Sequence, residues 1–405
     1  MTAPRLGTLA AFSSRDFRLL WAGQTISFTG DAAFVVALGW RVTELTGSAG
    51  TLGYVLALES AAMLLTLLLG GVLADRYSRA RLMIGSDLAR AVILAVFLAI
   101  DLSGNLTLTT VLILAGAFGA ADGFFQPAFG GIVPLVVEQP MLPSANSWIG
   151  VARNGSAIVG PAIAALLYHT TGPSTVWAIE CGSFVVSAAA LSLATPRRFE
   201  APEQEGIGRE LATGFRYVIS VPWIWTGILA ATVILMLAMA PFTALLPRVV
   251  QDHYDRGVGA YGLVFSAMAA GMVAGSLIWA KWHPTRHRVV ICFAAFGIND
   301  LGIIVLALSP YYPVAVLAAA WRGVWIGIGI ASWTTLLTEL VPDHLLSRVF
   351  SFDFFGSLGL TPVGYVLAAV VAQTVPPTTI LAVGGTLGAV LWFTPLLWRP
   401  VRTAA

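Results

Sequence analysis

Charge is scarce in this sequence. Only 10% of its 405 residues are Asp, Glu, Lys or Arg, against roughly 25% in a soluble domain. With 58% hydrophobic residues, the chain has too little polar material to face water on every side, so most of it belongs in lipid. Lysine is nearly missing: Lys281 stands alone. No Gly-x-x-x-x-Gly-Lys-Ser/Thr runs up to it, which excludes a phosphate-cradling loop and an ATP motor within the chain. Cysteine is limited to Cys181 and Cys292, both in apolar stretches. They read as small buried residues, not as a disulfide or a metal pair. His169, His253, His283, His287 and His344 are scattered near segment ends without metal-ligand spacing. His-Glu-x-x-His and Gly-x-Ser-x-Gly do not occur, and no catalytic cluster gathers at one end of the apolar segments. A membrane enzyme would need such a cluster. No cofactor and no nucleic-acid partner is expected.

Long apolar runs are what the chain has in quantity. A membrane span needs about 20 apolar residues. Runs of that length, punctuated by charge, Gly and Pro, fall at about 17–41, 50–73, 82–101, 107–128, 148–168, 175–194, 221–246, 259–280, 289–308, 312–337, 350–372 and 378–398. The first is too long for a signal-peptide core and has no cleavage site after it, so it reads as a mature helix. The expected fold is an all-α polytopic membrane protein of twelve helices.

Orientation follows the arginines. Sixteen of the 22 basic residues lie in one set of connections, and only Arg41, Arg248 and Arg256 lie in the opposite set. The excess marks the cytoplasmic side, which places both termini there. Arg90, Arg153 and Arg322 fall inside spans. Trp40, Trp177, Trp223, Trp225, Trp282 and Trp398 lie near span ends and read as interfacial anchors. The charge- and Pro-rich connection 195–220 divides the chain into six-helix bundles at 1–194 and 221–405. A weak internal repeat supports two pseudo-symmetric halves. Gly155-Ser156 and Pro161 in span 5 are echoed by Gly356-Ser357 and Pro362 in span 11, and Gly71-Val72-Leu73 by Gly275-Ser276-Leu277.

Residues 71–81 read Gly71-Val72-Leu73-Ala74-Asp75-Arg76-Tyr77-Ser78-Arg79-Ala80-Arg81. This resembles the loop between the second and third helices of major facilitator superfamily transporters, usually G-x-L-A-D-R-x-G-R-R, with Ser78 in place of the usual Gly. Further segments resemble the branch that includes macrolide-efflux proteins, the enterobactin exporter and actinobacterial multidrug pumps. They are Gly30-Asp31, Ser86-Asp87-Leu88-Ala89-Arg90, Phe125-Gln126-Pro127-Ala128, Asn146, Gly214-Phe215-Arg216-Tyr217, Val341-Pro342-Asp343 and Arg348-Val349-Phe350-Ser351. Span 5 resembles the antiporter motif G-x-x-x-G-P-x-x-G-G at Gly160 and Pro161, with Ser156, Ala164 and Ala165 replacing the other glycines. Such small residues let helices approach closely, either as a seal between halves or as plain packing.

The resemblance implies a secondary transporter in a bacterial cytoplasmic membrane, working as a monomer by alternating access. A proton gradient would drive an amphipathic small molecule outward. Lipid or nutrient transport on the same fold is the alternative. In this family helices 1, 4, 7 and 10 line the cavity, which makes Asp31, Asp122 and Arg322 the cavity candidates, with Glu59 in reserve. An acid at membrane depth is costly, and desolvation disfavours its anion. It can therefore hold a proton and release it when the cavity wets. The competing reading of Asp31 is a permanent Asp–Arg pair, and Arg322 is open between substrate contact and counter-ion. Glu180 and Asp300, on spans expected at the periphery, read as braces. Asp75, Arg76, Arg79, Asp87 and Arg90, with Gly71, read as a cytoplasmic latch. Trp321 and Trp325, four apart on one helix face, with Met236 and Met239, read as substrate-lining, since ring faces and thioethers suit a cation of variable shape.

Overall fold

The computed structural model describes residues 9–48, 50–197, 207–282 and 284–404. Among these the chain is helical and without strands. Its helices are α1 (Arg15–Thr46), α2 (Thr51–Arg76), α3 (Arg79–Leu102), α4 (Leu108–Val136), α5 (Leu142–Thr171), α6 (Pro173–Leu193), α7 (Ile207–Ser220), α8 (Pro222–Ile234), α9 (Ala240–Arg248), α10 (Val258–Trp282), α11 (Arg288–Leu308), α12 (Tyr312–Leu340), α13 (Asp343–Leu358), α14 (Thr361–Val371), α15 (Pro377–Phe393) and α16 (Arg399–Arg402).

Among the described residues, 11 helical segments are long and apolar enough to cross a membrane. The first expected span is not one of them. It forms one unbroken helix of 32 residues, at 1.5 Å per residue ample for a bilayer. Its content of Gln24, Thr25, Ser27, Thr29 and Asp31 makes it the most polar of the long helices, and several of those groups face protein. The last helices break where the backbone requires it. Between α13 and α14 the chain turns at Gly359 and Leu360, and Pro362, without an N–H, starts the next helix. Pro222, Pro173 and Pro377 likewise open α8, α6 and α15. Residues Ile207–Ser220 of this connection form α7, whose Phe215 packs on Phe352 at 5.8 Å between ring centroids.

The helices form two compact units: Met1–Thr46 with Leu58–Pro202, and Gly47–Ala57 with Glu203–Ala405. Within the first, α1 packs on α5 and α6, and α3 on α4 and α6. The contacts are close because small residues meet backbone. A Cβ on Gly160 would lie 2.6 Å from the Ala32 methyl and 2.8 Å from the Thr29 carbonyl, and Ser156 Oγ shares a hydrogen bond with Thr29 Oγ1 at 2.8 Å. A Cβ on Gly119 would strike the Glu59 carbonyl. At one end of the bundle, Arg41 holds Asp101 at 2.7 Å, Trp177 donates to the same carboxylate, and Tyr168 and Trp40 donate to Glu44. At the other end, Arg197 is tied to the Leu135 and Val137 carbonyls.

The second unit repeats the pairing of its first and fifth spans. Gly364 of α14 rests on the Met236 carbonyl, as Gly160 rests on α1. Gly271, Gly275, Gly323 and Gly327 bring α10 and α12 together backbone to backbone. The span Pro222–His253 is not a uniform α-helix. Leu235–Met239 and Val249–His253 are wound more loosely, as π-helical turns. Trp40, Trp177 and Trp223 are buried at 6%, 0% and 4% exposure. These are core residues rather than the interfacial anchors expected, because each helix end is itself covered by neighbours. Trp282 and Trp398 are exposed.

Candidate functional site

Polar groups concentrate in two places, one inside each unit. In the first unit, Asp31, Asp87, Arg90, Asp122 and Glu180 come from α1, α3, α4 and α6, near the middle of each helix. Arg90 is the centre. Its Nη2 donates to Asp87 Oδ1 at 2.6 Å and its Nη1 to Asp122 Oδ1 at 3.3 Å. Its guanidinium carbon lies 4.2 Å from the Phe184 ring centre and 4.5 Å from that of Phe125, so it is held by aromatic faces as well as by charge. The chain of bonds continues outward. Gln24 donates to Ser187 at 2.8 Å, Ser187 donates to Asp87 Oδ2 at 2.6 Å, and Gln126 donates to Asp122 at 3.2 Å. Asp87, Arg90, Gln24 and Ser187 are all buried.

Asp31 and Glu180 complete the cluster. Their carboxyl groups interact electrostatically with each other and with Arg90. Glu180 is fully buried, takes a hydrogen bond from Ser183 at 3.0 Å, and lies against the Gly30 backbone, where any Cβ would strike it. Glu59 is half-buried in a small apolar pocket with Phe34, Phe97 and Phe118 and interacts electrostatically with Asp31 and Asp122. Asp31, Asp87, Asp122 and Glu180 thus gather about the buried cation Arg90, with Glu59 near Asp31 and Asp122. At several kcal/mol for each buried uncompensated ion, they cannot all be ionised together.

In the second unit, α8, α10, α11, α12, α13 and α15 enclose a cavity of about 370 Å³. Arg322, 1% exposed, faces it from α12. Among the described residues no carboxylate oxygen lies within 4.0 Å of it. Its Nη atoms meet only the Met268 and Met239 sulfurs, at 3.8 and 3.9 Å, and its guanidinium stacks 4.0 Å from the Phe242 ring centre. Asp300 and Asn299 of α11 also line the cavity, at 2% and 6% exposure. Asn299 donates to Asp300 Oδ1 at 2.9 Å, which leaves Asp300 Oδ2, Asn299 Oδ1 and Arg322 Nε without a partner.

The sequence-based groupings are redistributed accordingly. Arg90 pairs with both Asp87 and Asp122. Arg79 instead donates to the Gly131 carbonyl at 2.5 Å, Arg76 is exposed, Gly71 touches nothing that a Cβ would meet, and the Asp75 side chain lies outside the described residues. Of the residues expected to line a ligand site, Met239 does so. Met236 belongs to a separate crevice with Leu237 and Pro241. Trp321 is 50% exposed and Trp325 packs on it at 5.6 Å, away from the cavity. Trp333 is the tryptophan of α12 that faces the cavity, its N–H given to Asp353 at 3.1 Å. Glu180 and Asp300, read from sequence as braces, sit in the two clusters. A signal existed for Glu180: Ser183 and Ser187 follow it on the same helix face and oppose Gly23 and Gly30 on α1.

Comparison with known proteins decides the family. The Major Facilitator Superfamily model matches residues 20–360. The chain belongs to the Major Facilitator Superfamily. Macrolide efflux protein A of Streptococcus pyogenes is 25% identical over 377 residues, covering 92% of this chain and 93% of that protein. Enterobactin exporter EntS of Shigella boydii is 24% identical over 339 residues, covering 82% of this chain and 79% of that protein. Among solved structures, a bacterial homologue of the iron transporter ferroportin in an inward-facing state superimposes with a TM-score of 0.73 at 13% identity, covering 94% of this chain and 98% of that one. Nucleoside transporter NupG does so with a TM-score of 0.71 at 12% identity, covering 94% and 98%. This superfamily member is therefore a multi-pass membrane transporter of small molecules, with the superfamily fold.

Proposed function

We propose that this transporter is a proton-coupled exporter of amphipathic small molecules. The observation that carries the reading is the acid cluster around Arg90: Asp87 and Asp122 on its guanidinium, with Asp31 and Glu180 interacting beside them, all within the long helices. A transporter driven by a proton gradient needs a carboxyl group that is neutral in one state and ionised in another. Asp31 is the principal carrier in this reading, with Asp122 and Glu59 as neighbours whose charge sets when it lets go. Export, rather than import, is supported by the two relatives named for macrolide efflux and for enterobactin export. The protein would work as a monomer in a bacterial cytoplasmic membrane with both termini inside, alternating access to the cargo between its faces.

The direct test uses inverted vesicles containing the protein and ethidium, a fluorescent amphipathic cation. Accumulation that follows an imposed pH gradient, and collapses with an ionophore that dissipates it, is the expected result. Accumulation indifferent to the gradient, or none with ethidium and a panel of related amphipathic cations, would overturn the reading.

A further inference from the structure

A second cleft in the second unit shares no residue with the cavity of Arg322. The connection between α10 and α11 and the C-terminal α16 enclose about 450 Å³, lined by Thr285, Arg286, His287, Val290, Arg402 and Thr403. Arginine, histidine and hydroxyl groups make up this wall, and none of its residues is acidic. Among the described residues the Arg286 and Arg402 guanidinium groups take part in no ion pair and no hydrogen bond. Their neighbour Arg288 differs: it is bound to Glu339 and lines another cleft. Packing brings the two free arginines to one place. α16 lies on α8 and α11. Val401, fully buried, anchors it, and Arg402 follows directly.

Depth decides what this cleft meets. Val258–Trp282, Arg288–Leu308 and Pro377–Leu397 are each long and apolar enough to cross a membrane. Arg286, His287, Arg402 and Thr403 lie a few residues beyond their ends. Trp282 and Trp398, at the same ends, are exposed at 53% and 44%, and an indole at a span end belongs to the headgroup layer. The cleft thus opens at the level of lipid phosphates. Basic pockets at that level take anionic headgroups, and a guanidinium fork matches two phosphate oxygens at once. A zwitterionic headgroup would set its ammonium against the same arginines. We propose that this cleft binds the headgroup of an anionic phospholipid. Arg286 and Arg402 hold its phosphate oxygens, His287 adds a donor, and Thr285 and Thr403 meet the hydroxyls of a glycerol headgroup. Val290, in the first turn of α11, meets the start of the acyl chains. The bound lipid ties the C-terminal α16 to the connection between α10 and α11.

This site is independent of proton coupling and of cargo, and its occupancy is measured at equilibrium without a gradient. Purified full-length protein in detergent is titrated with phosphatidylglycerol, or with phosphatidylcholine of the same acyl chains, and bound lipid is read by native mass spectrometry. Phosphatidylglycerol is expected to bind more tightly by about ten-fold or more. One arginine beside an anionic headgroup contributes about five-fold, so Arg286→Ser combined with Arg402→Ser should weaken phosphatidylglycerol by about 25-fold and leave phosphatidylcholine unchanged. Arg15→Ser combined with Arg81→Ser removes the same charge from two exposed arginines outside the cleft and should leave both lipids unchanged. If the cleft variant fails to fold, as judged by size-exclusion chromatography, Arg402→Ser alone decides, with a loss of about five-fold expected. Millimolar glycerol phosphate, the soluble piece of the same headgroup, should not displace the lipid. Equal binding of the two lipids, undiminished binding to the folded cleft variant, an equal loss in the control variant, or displacement by glycerol phosphate would overturn the lipid site.

Discussion

Arg90 of α3 holds Asp122 of α4 at 3.3 Å while its other nitrogen holds Asp87 at 2.6 Å. Two helices are thereby joined through one guanidinium, 2% exposed. Removing a single partner of such a buried arrangement strands the others, at a cost of about 3–5 kcal/mol. Arg90→Gln is therefore expected to unfold at markedly lower temperature than the wild type in detergent. The double variant Arg90→Met, Asp87→Leu, which removes both charges of the closest pair, is expected to recover part of that loss. Differential scanning fluorimetry of the two variants checks this. An unchanged melting temperature in Arg90→Gln would show that the pair does not hold α3 in place.

Glu180 tests whether the carboxyl pair is a brace or a proton site. Glu180→Gln keeps the shape of the side chain and removes a buried charge, so stability should stay within about 1 kcal/mol of wild type. As a brace, the variant would transport normally. As a proton site, it should bind cargo and lose much of its gradient-driven accumulation, since the exchangeable proton is gone. Paired binding and vesicle uptake measurements separate the two outcomes.

The glycines of α5 allow an internal control. A Cβ at Gly160 meets the Ala32 methyl and the Thr29 carbonyl, whereas at Gly155 it meets nothing within 4 Å. Gly160→Ala should destabilise by about 1–3 kcal/mol through overpacking. Gly155→Ala should be neutral or stabilising by up to about 1 kcal/mol, because alanine is the better helix former. Equal melting temperatures for the two variants would contradict the close packing of α5 on α1.

How far the sequence could be read depended on distance along the chain. Spans were legible because lipid imposes a length and a composition on each helix separately. The arginine loop and the Gly160–Pro161 segment were legible because their residues are adjacent. Groupings across helices were not. Asp87 lies eight residues into α3 from Arg79, about 12 Å along the axis, and Asp122, which shares Arg90 with it, lies in the next helix. Asp300 and Arg322 share a cavity across α11 and α12, with only their placement in three dimensions to reveal it. Trp321 and Trp325 do share a face, as their spacing requires, but spacing cannot say whether that face meets lipid or cavity. The π-helical turns of the span Pro222–His253 left no composition signal beyond Pro241 and Pro247.

Asp31→Asn in proteoliposomes tests the central claim most directly. The amide copies the protonated carboxyl and costs less at membrane depth than an anion, so the variant should insert and fold. Two modes are measured on the same preparation: exchange of labelled ethidium against unlabelled ethidium with no gradient, and ethidium accumulation driven by an imposed pH gradient. The account predicts that Asp31→Asn retains exchange and loses accumulation. Accumulation at the wild-type rate in folded Asp31→Asn would contradict it.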